Sequence, residues 1–430
     1  MLRVLFGFLL TISCIRFMML GWIHDQYVAP VMHFPYPGFT WVTTLGEPGM
    51  YVVFGLMLTS AICVMLGYRY RIASVLLFLT FTYVELIDKT YYLNHYYFVS
   101  ISAFLMMLLP AHRSFSLDVV RKPDIRLDEI PAWMVDVLKL QLAIVYFHAG
   151  VAKINHDWLI EALPLRIWMP ANDTLPVVGP LMTVKWMPWV FSWFGMIYDV
   201  TIAFFLYWRR TRPFAYLTVI VFHVVTGMMF QIGVFPVVMI GMTLVFFEPS
   251  THQRIIDVLK ALAGRKGADA VSGSPRRPAP TSYRWLLVLL SIHLVVQLLV
   301  PWRYLLYPGN LFWSEEGYRF SWRVMLMEKA GTATFYVKDR VTGREGQVVN
   351  GEFLNTHQEK QMSMQPDMVL QFAHFLHDHY AARGITDPVV RAEVWVTMNG
   401  RPSRLLVDST VDLSREQEGF HHYAWVLPND

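Results

Sequence analysis

Cysteine is almost missing: Cys14 and Cys63 are the only two in 430 residues, and both fall in apolar stretches. A fold stapled by disulfides is thereby excluded, and nothing of that kind can brace the C-terminal third. Charge is scarce as well. Only 16% of the residues are Asp, Glu, Lys or Arg, against roughly a quarter in an ordinary soluble domain. No internal repeat of useful length is present, which argues against inverted-repeat transporters. A phosphate loop, a nucleophile elbow and an HExxH pair are also missing. The basic residues are not interleaved with aromatics in a nucleic-acid pattern, so no nucleic-acid partner is expected.

What the chain has instead is long apolar runs, with 55% hydrophobic residues overall. A span of ~30 Å of hydrocarbon needs about 20 such residues. Runs of that kind or a little shorter occupy about nine stretches: 4–23, 49–67, 72–88, 95–110, 134–154, 187–208, 213–230, 232–248 and 284–301. The sequence therefore predicts a polytopic α-helical membrane protein of about nine transmembrane helices, with the lipid bilayer as its first partner. No small-residue cleavage pattern follows the first run, which is read as an anchor.

Basic residues in the loops set the orientation. If Arg3 is cytoplasmic, the same side collects Arg69, Arg71, Arg113, Arg121, Lys122, Arg126, Arg209, Arg210 and Arg212. Arg254, Lys260, Arg265, Lys266, Arg276 and Arg277 follow in 249–283, whereas the opposite loops hold only Lys89, Arg166 and Lys185. The C-terminal residues then lie outside the cytoplasm. The net charge of +4 sits mostly on the cytoplasmic side and favours anionic lipid.

Two domains are expected: a helical membrane domain over 1–301 and an extracytoplasmic α+β domain over 302–430. A mobile cytoplasmic linker rich in Gly, Pro and Ser is expected at 264–282. In the second domain, Thr334–Val341 and Gly346–Val349 read as a hairpin, and Met368–Arg383 as a helix closed by Gly384. Val390–Met398 and Ser403–Val407 read as strands joined through Asn399-Gly400.

Ionisable residues inside a membrane are costly and are functional candidates by default. Arg16, Glu85, Asp88, His95, His148, Lys153, Asp157, Asp199, His223 and His293 qualify. The topology brings Lys153, His95 and Asp88 to one outer layer, with His223 below them. Arg16 and Asp199 read as a structural ion pair, with Glu85 as an alternative partner. Tyr146, Ala149, Gly150 and Lys153 share a helix face, and their small members leave room for a ligand or a neighbouring helix. Two readings of Lys153 stand at this point: a desolvated amine serving as general base, or a lysine snorkelling to the interface. The histidines likewise read as catalytic groups or as hydrogen-bonded packing residues. His374, His377 and His379 on the C-terminal helix, and His421-His422, read as solvated faces, and no metal is expected.

Several segments carry a resemblance. They are Leu86–Tyr97 (LIDKTYYLNHYY), Tyr146–Trp158 (YFHAGVAKINHDW), Phe222-His223 with Phe230–Met239 (FQIGVFPVVM), Gly317–Trp322 (GYRFSW) and Ala392–Leu413. In this order the chain resembles the vitamin K-dependent γ-glutamyl carboxylase family, whose membrane part is also called the horizontally transferred transmembrane domain. The resemblance implies an enzyme that oxidises a reduced vitamin K to its epoxide with O2, and uses the base so formed to take a γ-proton from a glutamyl side chain. CO2 then captures the carbanion. It also implies Lys153 as the catalytic base and His95 as a functional histidine beside Asn94. Tyr318 and Trp322 match an aromatic stretch at the membrane–lumen boundary, and His223 is kept. Asn94, His223, Tyr318 and Trp322 are thus the expected quinol or substrate contacts. The substrates implied are menaquinol or phylloquinol, O2, CO2 and a glutamate-containing peptide.

Ala152 departs from the family's lysine pair, Val224–Met229 replace polar residues, and the disulfide cysteines of animal members are missing. These departures point to a short, bacterial-type homologue in the inner membrane, with menaquinol as the natural quinol. Two other functions stay open on sequence: a quinol epoxidase that carboxylates no protein, and a non-enzymatic membrane module binding quinone or lipid.

Overall fold

The computed structural model describes residues 1–230, 232–262 and 283–429. The predicted linker at 264–282 lies outside the described residues.

Apolar sequence without a two-residue period satisfies its backbone within itself, so the N-terminal part is helical. The long helices are α1 (Leu2–Met19), α2 (Gly46–Leu66), α3 (Tyr70–Ile87), α4 (Asn94–Leu108), α5 (Trp133–Ala152), α6 (Met187–Tyr207), α7 (Arg212–Met229) and α8 (Phe235–Thr243). Then come α9 (Pro249–Leu262) and α10 (Arg284–Leu299), which runs on as a 3₁₀ stretch to Leu306. Seven of them are long and apolar enough to cross a bilayer: α1, α2, α3, α5, α6, α7 and α10 with its extension. Two expected spans are shorter. At ~1.5 Å per residue, the 15-residue α4 reaches only about 22 Å, and α8 is shorter still.

Proline and glycine set many of the ends. Pro188, Pro213 and Pro236 open α6, α7 and α8, where a missing N–H costs nothing. Gly67 closes α2 in the left-handed conformation. Buried Arg3 donates to Val64 O and Met65 O at 2.7 Å each, satisfying carbonyls at the end of α2. Large side chains such as Phe8, Phe204, Phe214, Leu217 and Val288 stay exposed on helix faces, as lipid-facing residues do.

The C-terminal part is a four-stranded antiparallel sheet in the order β2-β1-β3-β4. Its strands are β1 (Lys329–Lys338), β2 (Glu345–Gln347), β3 (Val389–Met398) and β4 (Arg404–Leu405). Strands β1 and β3 pair over their whole length, from Lys329↔Met398 to Lys338↔Val389. The expected hairpin and the Asn399-Gly400 turn are present. Both turn residues take positive φ, 53° and 72°, and Arg401 N closes the turn by donating to Met398 O at 3.1 Å. The last expected strand contracts to Arg404–Leu405, with Val407 forming only an isolated bridge to Val426. Helices α11 (Thr356–Met362) and α12 (Pro366–Ala382) cover one sheet face. Phe335, Phe372, Val394 and Val396 are fully buried between them, and Met32 and Phe34 from the α1–α2 loop join the same core.

Candidate active site

Lys153 follows the last residue of α5 and caps it. Gly150, one turn earlier, explains what lies beside it. A Cβ built on Gly150 would stand 2.6 Å from Val200 N and 2.6 Å from Val200 Cγ2, so only glycine lets α6 approach this closely. The small residues thus make room for a helix. That approach sets Lys153 Nζ 2.7 Å from Asp199 Oδ2 and 3.2 Å from Ala149 O. The residues are 6% and 5% exposed. Trp158 closes the other side, its ring centroid 5.5 Å from Nζ and its Nε1 donating to Ser192 O at 2.9 Å.

The expected Arg16–Asp199 pair is not formed, because the rotation of α6 turns Asp199 toward α5. Arg16 lies instead over the Trp22 ring at 4.8 Å. Glu85 pairs with neither; it lines a 280 Å³ cavity with Thr82, His293 and Gln297.

Three of the expected residues are joined by a chain of contacts. Tyr198, next to Asp199, meets Tyr146 edge-on at 5.9 Å. The Tyr146 hydroxyl is hydrogen-bonded to His223 Nε2 at 3.1 Å. His223 meets the edge of Phe235 at 6.0 Å, and Phe235 stacks on His95 at 5.1 Å. His95 also lines a 680 Å³ cavity with Arg16, Trp22, Tyr91, Tyr96 and His357, residues drawn from both halves of the protein. Asp88 does not join this chain. Its carboxylate accepts from Thr90 N, Thr90 Oγ1 and Gln358 Nε2 at 2.9, 2.7 and 2.7 Å, and so belongs to the joint between the two parts. Burial holds its carboxyl above the ordinary range, although these hydrogen bonds oppose the shift.

Asn94, Tyr318 and Trp322 form a second group. Asn94 Nδ2 donates to Arg323 O at 2.7 Å, and Asn94 Oδ1 accepts from Tyr92 Oη at 3.0 Å. The same tyrosine oxygen accepts from Phe320 N at 2.7 Å. Segment 317–323 is thereby strapped to the start of α4. Trp322 is 1% exposed and stacks on Tyr97 at 4.8 Å. Phe320 and Trp322 both hold φ of 59°, a conformation that costs a bulky residue of order 1–3 kcal/mol and persists only where surrounding contacts fix it. Tyr318 is half-buried nearby, and desolvation raises its phenol above the ordinary value.

Residues 1–250 match the model of the HTTM domain, and residues 282–430 match that of the vitamin K-dependent gamma-carboxylase lumenal domain. The chain belongs to the vitamin K-dependent γ-carboxylase family. No solved structure matches it. The carboxylase-family membrane domain holds Lys153, Asp199, His223 and His95, and the lumenal-domain match covers the 317–323 strap and the whole sheet.

The joint between the family's two domains holds charged groups whose partners sequence did not reveal. Asp367 accepts from Lys89 Nζ and Arg319 Nη1, both at 2.7 Å. Burial alone would raise the Asp367 carboxyl, but Arg319 and Lys89 outweigh it and hold it well below the usual range. Burial lowers the Lys89 amine, against the pull of Asp367. Asp157 takes a two-pronged contact from Arg401 at 2.7 Å on each prong, plus Asn399 Nδ2 at 2.7 Å. Its carboxyl is lowered chiefly by Arg401. The only advance signal was that Asp157, Asp88 and Lys89 stood at predicted span ends.

On the C-terminal helix, His374 meets Glu418 at 3.3 Å, a contact that raises its imidazole, and His377 meets Asp378 at 3.0 Å. Among the described residues no group of three or more His, Cys, Asp or Glu is arranged to hold a metal ion.

Proposed function

We propose that this protein is a quinol-dependent γ-glutamyl carboxylase whose proton-accepting group is the Lys153–Asp199 pair. The observation that carries the reading is that pair: an amine and a carboxylate in contact, dry, within a membrane domain of this family. A buried pair of this kind is neutral overall. When it takes a proton on the carboxylate, the lysine keeps its positive charge and holds the anion left behind. Asp199 thus serves as acceptor and Lys153 as counter-ion. Exclusion of water from the membrane domain protects any strong base formed within it.

The large cavity suits a quinol ring. Trp22, Tyr91 and Tyr96 give aromatic walls, while His95 and Arg16 offer hydrogen-bonding groups. A bound menaquinol or phylloquinol would supply reducing equivalents for O2 and the base that removes the γ-proton before CO2 is added. His95 would orient the ring, and the Tyr146–His223 hydrogen bond would fix the side chains behind it. Tyr318 and Trp322 would wall the route by which a glutamyl peptide arrives from the outer face. The N-terminus is then cytoplasmic and the sheet domain extracytoplasmic, as loop charge favours.

The test uses the purified full-length protein with menaquinol, O2, labelled bicarbonate and a glutamyl peptide. Formation of both quinol epoxide and labelled peptide, each lost in Lys153→Ala, is the expected result. Epoxide without label reduces the activity to epoxidation; neither product from the folded wild type rejects the proposal.

A further inference from the structure

A smaller cavity of 280 Å³ lies against the last turn of α5. Its walls are His148, Ala152 and Asn155 from α5 and the turn after it, Tyr304 from the 3₁₀ stretch, and Ser321 and Arg323 from the strap. Ala152 and Asn155 bracket Lys153 in sequence, so the cavity and the Lys153–Asp199 pair share one helix end.

Two of these walls are cationic or hydrogen-donating groups with unmet capacity. Arg323 is 6% exposed, and its guanidinium carbon lies 4.2 Å from the centroid of the Tyr304 ring. Nη1 donates to Pro301 O at 3.3 Å, and Nε has no partner. Among the described residues no side chain that lines the cavity is acidic. His148 is 4% exposed, its ring edge-on to Trp302 at 5.7 Å, and its Nε2 also lacks a partner.

A buried donor left unsatisfied is destabilising, and a buried charge without a counter-charge is more so. Water would meet the hydrogen bonds but leave the charge. A planar oxyanion meets both, since the guanidinium fork matches two carboxylate oxygens and His148 donates from Nε2 in the appropriate tautomer. The Asn155 side chain, which lines the same wall, is neutral and already engaged: Nδ2 donates to Ala152 O at 3.0 Å and Oδ1 accepts from Trp158 N at 2.9 Å.

We infer that this cavity is a carboxylate-binding site built by Arg323 and His148, which sets an anionic carboxyl group beside the Lys153 end of α5. The anion's source rests on the carboxylase reading: it is either the glutamyl side chain or bicarbonate. The cavity is roomier than bicarbonate alone needs, and it opens between the membrane part and the strap, where a peptide would enter.

Equilibrium dialysis of the full-length protein, without quinol, tests this with two labelled probes: N-acetylglutamyl amide and bicarbonate. Saturable binding of either one, competed by acetate and weakened about ten- to a hundredfold in Arg323→Gln, supports the site. The probe that binds names the source. His148→Phe should weaken the same probe, and Arg323→Lys should fall between wild type and Arg323→Gln. These two variants serve if Arg323→Gln does not fold, as judged by its melting curve. Binding of neither probe, or equal binding in the folded variants, overturns the inference. Because no turnover is involved, the outcomes separate from those of the carboxylase assay. Arg323-dependent binding in a protein that fixes no bicarbonate keeps the site and rejects the activity. Carboxylation with Arg323-independent binding does the reverse.

Discussion

Lys153 Nζ and Asp199 Oδ2 meet at 2.7 Å with both side chains withdrawn from solvent. The contact joins the end of α5 to the middle of α6 and replaces the Arg16–Asp199 pair that hydropathy and charge suggest. A lone lysine at a helix end would snorkel. A lysine held inward by a buried carboxylate does not.

Lys153→Ala strands the Asp199 charge, so the variant should lose about 3–5 kcal/mol of stability and about 10²–10⁴-fold in quinol oxidation. The double variant Lys153→Met with Asp199→Leu removes both charges. Its melting temperature should recover toward wild type while its activity does not. Restored epoxidation in the double variant would show that the pair only holds helices together.

Gly150→Ala puts a methyl group against the backbone of Val200, which cannot move as a side-chain tip can. Overpacking of this kind costs about 1–3 kcal/mol, and α6 should shift enough to draw Asp199 away from Lys153. A fall in kcat together with melting temperature is expected. Gly195→Ala is the matched control, since its Cβ would lie 3.9 Å from Lys153 Cε, an ordinary contact.

Asn94→Ala cuts one of the ties that hold the 317–323 strap. The expected loss is about 1–3 kcal/mol, from the unsatisfied partners left behind. Steady-state kinetics should show KM for the glutamyl peptide rising more than KM for quinol. Equal effects on both would mean that the strap does not form the peptide's route.

Acid should loosen the joint between the two parts. The carboxyls of Asp157 and Asp367 are lowered in the folded protein by Arg401 and by Arg319 with Lys89. Their contributions are therefore complete above the unfolded carboxylate value of about 4, and are lost as pH falls through the lower folded values. Melting temperature should be level between about pH 7 and 5 and then decline. Asp157→Asn and Asp367→Asn should each flatten that acid limb while lowering the neutral plateau.

Much of this architecture was readable in the sequence because hydrocarbon imposes length and basic loops alternate. The α1, α2, α3, α5, α6, α7 and α10 runs needed nothing else. In the sheet, Asn399-Gly400 announced its turn because few residue pairs accept two positive φ values. Lys153, His95 and His223 could be singled out because ionisable groups are costly among apolar neighbours. Their partners could not be read. Which face α6 turns to α5 depends on the missing Cβ at Gly150, and a one-residue rotation would hide Asp199 in another interface. The strap was opaque for a related reason: Phe320 and Trp322 adopt a backbone that bulky residues avoid, so local preference pointed away from it. Arg323 was unremarkable in sequence, and His148 was one ionisable candidate among ten, until the fold left a nitrogen of each without a partner.

Asn94 opens the fourth helix, yet the carbonyl it holds belongs to a residue 229 positions later. That separation imposes an order on biogenesis. The membrane half leaves the ribosome with His95's helix still lacking its anchor, and it stays so until the last third of the chain has been made and folded against it. In pulse-labelled cells, protease resistance of the α3–α4 region should consequently appear only after synthesis has passed Arg323. Completion of this joint is a late event in synthesis, and chains cut short before Arg323 should insert without it.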